Sequence, residues 1–254
     1  MVPFNKIYII TLNHKEEYKQ ELLDRLNRLG VPSNIPVEFI YAANGTYIMQ
    51  TRPYVVYDGS RHWLNCIPYE KWDAREYPTN YNFGPESFWL RPITRGEIGC
   101  AMSHMMTWLT AYNEGVESAL ILEDDFYPEW ENVDWRVFDE LPAFDILYLG
   151  RHSLSGCDEV GLEYFLKPYF GYQAHAYVLS RSGLDKLING GAYNTFRENI
   201  IPTDEFLPTL HSEHPRNDIA ELFPNQNFTA FRLRSDLISQ TRYEANGLSQ
   251  TNWK

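Results

Sequence analysis

The stretch SALILEDD, residues 118–125, decides how this chain folds and where its chemistry would lie. Four successive apolar residues predict a buried strand, and three carboxylates, Glu123, Asp124 and Asp125, follow it directly. Because strand side chains alternate between faces, we expect Glu123 and Asp125 on one side and Asp124 on the other. Two anions that share one side at the carboxyl edge of an α/β sheet need water or a cation beside them.

Two interpretations of this acidic triplet are open from the residues alone. One is a solvated acidic turn, because most charge clusters simply face water. The other is a divalent-cation site, in which hard carboxylate oxygens prefer Mn²⁺ or Mg²⁺ to Zn²⁺ and substrate phosphates and water complete the shell. The apolar run favours the cation site, because it anchors the carboxylates to a rigid element.

The segments around this strand predict an α/β domain. A capping box of Thr94 and Glu97 begins a helix that ends near Gly115. Before it, a strand, an amphipathic helix and a second strand form a βαβ unit, which implies parallel pairing. The predicted strands are 6–12, 37–45, 118–125, 144–151, 174–180 and 227–233, and the predicted helices are 15–30, 94–115, 181–188 and one beginning near 202–203.

Composition limits the classes of function. One domain over residues 1–254 is expected from the length, and 44 % apolar with 22 % charged residues is ordinary for a soluble globular protein. The formal charge of −12 argues against a nucleic-acid partner. No apolar run reaches the roughly 18 residues of a membrane span.

Residues 46–90 mix aromatic, Pro, Asn and Arg residues without a period, which predicts a long ordered loop region that selects an acceptor.

The cellular compartment is addressed only weakly by the sequence. The first residues contain neither a basic leader nor a small-residue cleavage site, and the last residues contain no retention signal, so cytoplasmic placement is the default expectation. Cys66, Cys100 and Cys157 are widely spaced and odd in number, which predicts neither a zinc site nor a disulfide framework. Sequon patterns at Asn44 and Asn227 are of the kind that chance often produces.

The segment LRPITRGEIGCAMSHMMTWLTAYNEGVESALILEDD resembles the signature of glycosyltransferase family 25, which includes bacterial lipooligosaccharide and procollagen galactosyltransferases. FDILYLGR, AYVLSRSGLDKLI, IPTDEFLPTL and FTAFRL follow in the order typical of the procollagen branch. The opening strand and AANG match as well, so the resemblance covers nearly the whole chain outside about 46–90. It implies one GT-A domain, an α/β fold with a mixed, mostly parallel sheet flanked by helices.

The same resemblance implies a cofactor and a reaction. Mn²⁺, or alternatively Mg²⁺, would be held by a DxD-type motif in which Asp125 is a direct ligand and Glu123 serves the metal shell or the donor ribose. The donor would be a UDP-sugar. This branch inverts the sugar's configuration, which requires a carboxylate to remove the acceptor's proton. The motif TDEF offers Asp204 and Glu205, and we expect Asp204 to be the base; its alternative role is charge compensation at a helix N-terminus.

Further residues are expected to contact the donor. Thr11–Asn13 and Ala43–Gly45 match the uridine-cradling segments of the family, although the family usually has Asp where this chain has Asn44. A lone His on a helix flank is more often structural than a ligand, which is the alternative for His104, and Arg151 would meet the diphosphate or form a surface ion pair. The full set is Thr11, Leu12, Asn13, Ala43, Asn44, Gly45, Arg95, Glu97, Ser103, His104, Asp124, Arg151 and Arg242, of which Glu97 also has the capping box as a local explanation.

One departure from the family concerns the C-terminal stretch SQTRY, residues 239–243, which resembles PTHY. Arg242 stands where the family has a His that commonly serves as the last metal ligand, so either the cation loses that ligand or Arg242 replaces its charge. The leading hypothesis is an inverting hexosyltransferase that uses UDP-galactose first, and otherwise glucose or GlcNAc. Its acceptor would be hydroxylysine of a collagen-like protein or a saccharide. The alternative is a catalytically silent module that binds sugar or protein.

Overall fold

An eight-stranded mixed β-sheet with helices on both faces forms the fold, which confirms the predicted α/β class. The computed structural model describes residues 2–45, 54–57, 63–69, 72, 93–153 and 156–240. Its helices are α1 (Glu16–Arg28), α2 (Arg95–Asn113), α3 (Arg181–Asn189), α4 (Ala192–Glu198), α5 (Thr203–Thr209) and α6 (Asn217–Leu222), with a 3-10 helix at Trp135–Glu140.

Twelve strands are present in the described part of the chain. They are β1 (Lys6–Thr11), β2 (Val37–Tyr41), β3 (Tyr54–Tyr57), β4 (Trp63–Cys66), β5 (Ser118–Glu123), β6 (Phe126–Pro128), β7 (Ile146–Ser153), β8 (Cys157–Glu159), β9 (Phe165–Pro168), β10 (Gly171–Ser180), β11 (Ala230–Leu233) and β12 (Ile238–Gln240). Two short antiparallel pairs, β3–β4 and β6–β12, lie outside the main sheet.

The main sheet has the order β2-β1-β5-β10-β7-β11-β9-β8. The strands β2, β1 and β5 are parallel to one another, and β7 is parallel to β11. Because β10 is antiparallel to both β5 and β7, those two strands and their parallel partners all run in one direction. The carboxyl ends of β2, β1, β5 and β7 therefore lie at the same edge of the sheet, where ligands of α/β proteins usually bind.

Apolar alternation along the strands explains why both faces are covered. In β1, Tyr8 and Ile10 contact the core that includes α2 to α5, whereas Ile7 and Ile9 contact the core that includes α1 and the 3-10 helix. A strand buried on both faces reads as a continuous apolar run, as KIYIITL does.

Helix α2 begins as its sequence predicts. Thr94 Oγ1 accepts a hydrogen bond from the Glu97 backbone N–H, and the Glu97 carboxylate accepts one from the Thr94 backbone N–H at 2.7 Å. Beyond this capping box, Met102, Met105 and Trp108 are buried against the sheet. The helix is thereby fixed at its N-terminus and along its length, which makes it a rigid support for residues that face the sheet edge.

The predicted strand boundaries around the acidic triplet need correction. Strand β5 ends at Glu123, because its ladder with β1 ends at the pair Ile10–Glu123, and Asp124 and Asp125 form a turn. The predicted strand is therefore two residues too long, although Asp124 does point to the side opposite Glu123 and Asp125, as expected. Likewise β2 ends at Tyr41, and residues 42–45 form a loop.

Part of the segment 46–90 is regular structure, contrary to the prediction of a continuous loop. Strands β3 and β4 pair antiparallel. After β4, Ile67 donates a backbone hydrogen bond to Arg197 O in the last turn of α4 at 2.9 Å and accepts one from Ile200 N, just after α4, at 2.7 Å. The aromatic and β-branched run YVVY was the available signal. The remainder of 46–90 lies outside the described residues, so its expected role in acceptor choice stays a prediction. Among the helices described, none combines the length and apolar character that crossing a bilayer requires.

Candidate active site

A cleft of about 470 Å³ lies at the carboxyl ends of β2, β1 and β5, beneath the N-terminal half of α2. Its position is the crevice that parallel strands and their helices create in α/β sheets. Eleven of the residues predicted from the sequence line it, namely Thr11, Leu12, Ala43, Asn44, Gly45, Arg95, Ser103, His104, Glu123, Asp124 and Asp125.

The loop after β2 is held tightly against α2. The backbone N–H of Ala43 donates to Ser103 Oγ at 2.8 Å, and Ser103 Oγ donates to the Gly99 carbonyl at 2.6 Å. A Cβ atom at Gly45 would lie 2.2 Å from the Arg95 carbonyl oxygen, so glycine is required there by close approach. The sequence placed Ser103 in the site as a donor contact, and the structure shows that it anchors this wall.

Asp124 faces away from the other two carboxylates of the triplet. Its Oδ2 accepts a hydrogen bond from Thr11 Oγ1 at 2.6 Å, and Thr11 Oγ1 in turn accepts one from the Asn13 backbone N–H at 2.9 Å. Burial and the charge of Glu123 raise the pKa of Asp124, although the hydrogen bond from Thr11 opposes this. Thr11, Asn13 and Asp124 thus form one hydrogen-bonded wall of the cleft.

Glu123 ends a chain of buried hydrogen bonds that starts in the core. Trp108 Nε1 donates to the Tyr177 hydroxyl at 2.7 Å, and that hydroxyl lies 2.8 Å from His104 Nδ1. His104 Nε2 lies 3.0 Å from Glu123 Oε1. An ionised carboxylate can only accept, so Nε2 donates to Glu123, and in the neutral imidazole Nδ1 then accepts from the Tyr177 hydroxyl.

This chain determines the charge state of Glu123. Burial raises the pKa of a carboxyl, but the hydrogen bond and electrostatic attraction of His104, with smaller contributions from His175 and Cys100, lower the pKa of Glu123 below its ordinary value. The Glu123 side chain keeps 23 % of its surface exposed, toward the cleft. An ionised carboxylate is therefore presented to a ligand.

Gln240 brings Glu123 and Asp125 together. Its Nε2 lies 3.5 Å from Glu123 Oε2 and 3.3 Å from Asp125 Oδ2. Burial, and then the charges of Glu123 and Asp124, raise the pKa of Asp125 to about 8. Two carboxylates that converge on one donor nitrogen, one of them with a pKa raised by burial and by its neighbour's charge, fit the oxygen ligands of a hard divalent cation.

The two carboxylates predicted for catalysis occupy different environments. Glu205 is fully buried and its Oε2 lies 3.0 Å from His214 Nε2, so it does not line the cleft. Burial, followed by the charges of Glu205, Glu97 and Glu123, raises the pKa of Asp204 to about 8. Asp204 is not among the residues that line the cleft either, and of the charges that act on it only Glu123 belongs to the cleft. Cys100, which lines the cleft, lies 3.8 Å from the hydroxyl of Thr203 beside it, so we retain Asp204 alone as the candidate base.

Arg151 does not occupy the expected position. It is buried, donates through Nη2 to the Tyr169 carbonyl at 2.7 Å, and lies with its guanidinium 4.4 Å from the centre of the Tyr148 ring. Strand β7 continues to Ser153, so Arg151 lies within the strand instead of after it. The expected surface ion pair is therefore wrong for Arg151, and the expected diphosphate contact, which its burial away from the cleft lining does not support, stays a prediction.

Arg242 lies outside the described residues, but Gln240 precedes it closely. The stretch SQTRY drew attention for Arg242, whereas Gln240 within it contacts both carboxylates of the cleft. Strand β12 places it there by pairing Gln240 with Phe126, immediately after the triplet. Non-local pairing of this kind has no local sequence signal.

Comparison with known families agrees with this geometry. Residues 4–157 match the family described as "Glycosyltransferase family 25 (LPS biosynthesis protein)". The chain belongs to glycosyltransferase family 25. The matched range contains β1, β2, α2 and β5, and therefore every element that lines the cleft.

Several curated proteins of family 25 are similar to this chain. A "Glycosyltransferase 25 family member" of Aedes aegypti is 26 % identical over 93 % of the chain and 36 % of its own length. "Procollagen galactosyltransferase 2" of Mus musculus is 23 % identical over 94 % of the chain and 36 % of its own length. "Probable inactive glycosyltransferase 25 family member 3" of Bos taurus is 31 % identical over 63 % of the chain and 28 % of its own length. The chain thus spans about a third of these relatives.

Proposed function

We propose that this chain is a glycosyltransferase that uses a divalent cation and a UDP-sugar and inverts the configuration of the transferred hexose. The observation that carries the proposal is the convergence of Glu123 Oε2 and Asp125 Oδ2 on Gln240 Nε2 in the cleft. Membership in family 25 supports glycosyl transfer. The cation is inferred from the carboxylate ligands of this cleft, and the UDP-sugar from the resemblance to the family.

Glu123 and Asp125 would hold the cation, with Mn²⁺ as the first choice and Mg²⁺ as the second. Bound between them, the cation supplies positive charge for the diphosphate that leaves with the nucleoside. Asp124 has a separate task, because its bond to Thr11 keeps the carboxyl ends of β1 and β5 in register beside the nucleotide. Arg95 and Asn44, which also line the cleft, would contact the nucleotide.

Asp204 would act as the general base. Inversion in one step requires a carboxylate that takes the proton of the acceptor hydroxyl as that oxygen attacks the sugar. A pKa of about 8 makes Asp204 a stronger base than an ordinary aspartate, since a conjugate acid near the working pH balances ionisation against proton affinity. The alternative of helix N-terminal charge compensation remains available to the same side chain.

The names of relatives indicate which substrates to test. Because the similar protein of Mus musculus is called a procollagen galactosyltransferase, galactose is the first donor sugar, and glucose and GlcNAc follow. Hydroxylysine in a collagen-like peptide is the first acceptor, and a saccharide is the second.

Release of UDP tests the proposal. With UDP-galactose and Mn²⁺ we expect release that a chelator stops and that Asp125→Asn abolishes while the variant still folds. Asp24→Asn, which changes an exposed carboxylate on α1, is the matched control and should behave as the parent chain.

A second candidate function is favoured by the bovine relative whose name describes it as inactive. In that case the chain would bind a nucleotide-sugar or a glycan without turnover. UDP binding by calorimetry, together with no UDP release across the three donors, would support this binding module and contradict the enzymatic proposal.

A further inference from the structure

The two oxygens of the Glu123 carboxylate face chemically different neighbours. Oε2 faces the amide of Gln240 and the carboxylate of Asp125. Oε1 accepts a hydrogen bond from the Cys100 thiol, with 3.6 Å between Sγ and Oε1, and one from His104 Nε2 at 3.0 Å. One side of the carboxylate is therefore surrounded by oxygen and amide groups, and the other side by sulfur and nitrogen.

The sulfur and nitrogen side has the spacing of a metal centre. The ligand atoms of Cys100, His104 and Glu123 all lie within 4.8 Å of one another. Tetrahedral Zn²⁺ with bonds of about 2.0–2.3 Å separates its ligand atoms by about 3.3–3.8 Å. The observed separations of 3.0 and 3.6 Å from Oε1 therefore need only small side-chain shifts to surround a cation.

Rigid elements support these three side chains. Cys100 and His104 are four residues apart on α2, so they lie on the same face of a helix that is capped and buried. His104 Nδ1 is held by the Tyr177 hydroxyl, the kind of outer contact that orients a histidine ligand. The spacing of the three cysteines did not predict this group, because only one of them, Cys100, belongs to it.

We propose that Cys100, His104 and Glu123 form a site for a thiophilic divalent cation such as Zn²⁺, leaving a fourth position open to the cleft. Sulfur and imidazole ligands select such a cation over Mn²⁺ or Mg²⁺. Binding requires the thiolate of Cys100, so one proton leaves for solvent. The imidazole stays neutral, with its hydrogen moved from Nε2 to Nδ1, where the Tyr177 oxygen accepts it.

Cobalt spectroscopy tests this site in the full chain. After removal of metals with a chelator, Co²⁺ should produce a near-ultraviolet sulfur-to-cobalt charge-transfer band that saturates at one equivalent and is displaced by Zn²⁺. The band should be lost in Cys100→Ser and kept in Cys157→Ser, which changes an exposed cysteine. A parent chain without the band, or a Cys100→Ser variant that retains it, would overturn the proposal.

Alkylation of the unsubstituted chain gives a second test that needs no folded variant. Zn²⁺ should slow the reaction of Cys100 with iodoacetamide, as followed by peptide mass spectrometry, and should leave the reaction of Cys157 unchanged. Equal labelling of Cys100 with and without Zn²⁺ would refute the site. Neither readout depends on sugar transfer, so a chain that shows the cobalt band but releases no UDP would contradict only the proposed enzymatic function.

Discussion

His104 Nε2 lies 3.0 Å from Glu123 Oε1, and this contact joins the buried core to the edge of the cleft. Behind His104, the Tyr177 hydroxyl both accepts from Trp108 and contacts His104 Nδ1. The orientation of Glu123 therefore depends in part on Tyr177 and Trp108, which are buried and do not line the cleft.

Removing the Tyr177 hydroxyl tests the importance of this chain. Tyr177→Phe leaves the buried Trp108 N–H and His104 Nδ1 without their partner, at a cost of about 1–3 kcal/mol. We expect the Tm to fall by roughly 2–4 °C for each kcal/mol lost. Tyr193→Phe is the matched control, because the buried Tyr193 hydroxyl has no hydrogen-bond partner among the described residues. Equal melting of the two variants would contradict the importance of the chain.

Asp204 should make stability depend on pH. Its pKa is raised from 3.8 to about 8, so between those values the unfolded chain ionises while the folded chain keeps the proton. Stability is therefore lost as pH rises through this interval, and no further loss from this group occurs above it. Asp204→Asn removes the effect, so its stability should be nearly equal to that of the parent near pH 4 and should exceed it increasingly as pH rises to about 8.

The measurement is thermal unfolding of the chelator-treated protein across this pH range. Asp24→Asn should follow the parent chain at every pH, because the Asp24 carboxylate is exposed. An Asp204→Asn variant whose advantage does not grow with pH would show that the carboxyl ionises freely in the folded state.

When no cation is bound, the amide of Gln240 should partly offset the repulsion between the carboxylates of Glu123 and Asp125. Gln240→Leu removes the amide that Glu123 and Asp125 share, so the carboxylates repel without compensation and the metal-free Tm should fall. Mn²⁺ would then restore more stability to the variant than to the parent, because ligand binding stabilises by mass action. Thermal shift with and without Mn²⁺ measures this difference, and Gln20→Leu on the exposed face of α1 is the control. Identical Mn²⁺ shifts in Gln240→Leu and the parent would exclude a cation between the two carboxylates.

Gly45 should be required for nucleotide binding. In Gly45→Ala the new Cβ would lie 2.2 Å from the Arg95 carbonyl oxygen, so the loop must move away from α2. We expect loss of UDP binding by calorimetry and a stability cost of about 1–3 kcal/mol. Gly115→Ala, at the opposite end of α2, has φ +70 and nothing within 4 Å of its Cβ. It should cost stability by backbone strain yet bind UDP normally, and Gly45→Ala binding as tightly as Gly115→Ala would refute the prediction.

Local sequence signals predicted much of the fold. The capping box at Thr94 and the apolar run of β5 were sufficient to locate the helix and strand that line the cleft, because both signals come from adjacent residues. The succession of strands and helices predicted the α/β class, and the family resemblance added the expectation of a GT-A domain. Short elements such as β3 and β12 were missed, since three or four residues carry too little periodicity to be recognised.

The site was predicted less completely, because its contacts join distant segments. Gln240 reaches the triplet through β12, and Tyr177 reaches His104 through β10, and neither pairing has a local signal. Arg151 was misplaced because the sequence ended its strand too early. The chain turns at Asp124, where the pairing of β5 with β1 ends. That end depends on a distant strand, so the alternation of side chains along β5 does not predict it.

Trp108 has no exposed surface, yet three hydrogen-bond links separate its indole from the carboxylate at the mouth of the crevice. Substitutions of the buried residues that link Trp108 to this carboxylate are therefore expected to affect substrate recognition. A mutational screen restricted to residues near a docked sugar would miss the buried side chains that orient the Glu123 carboxylate.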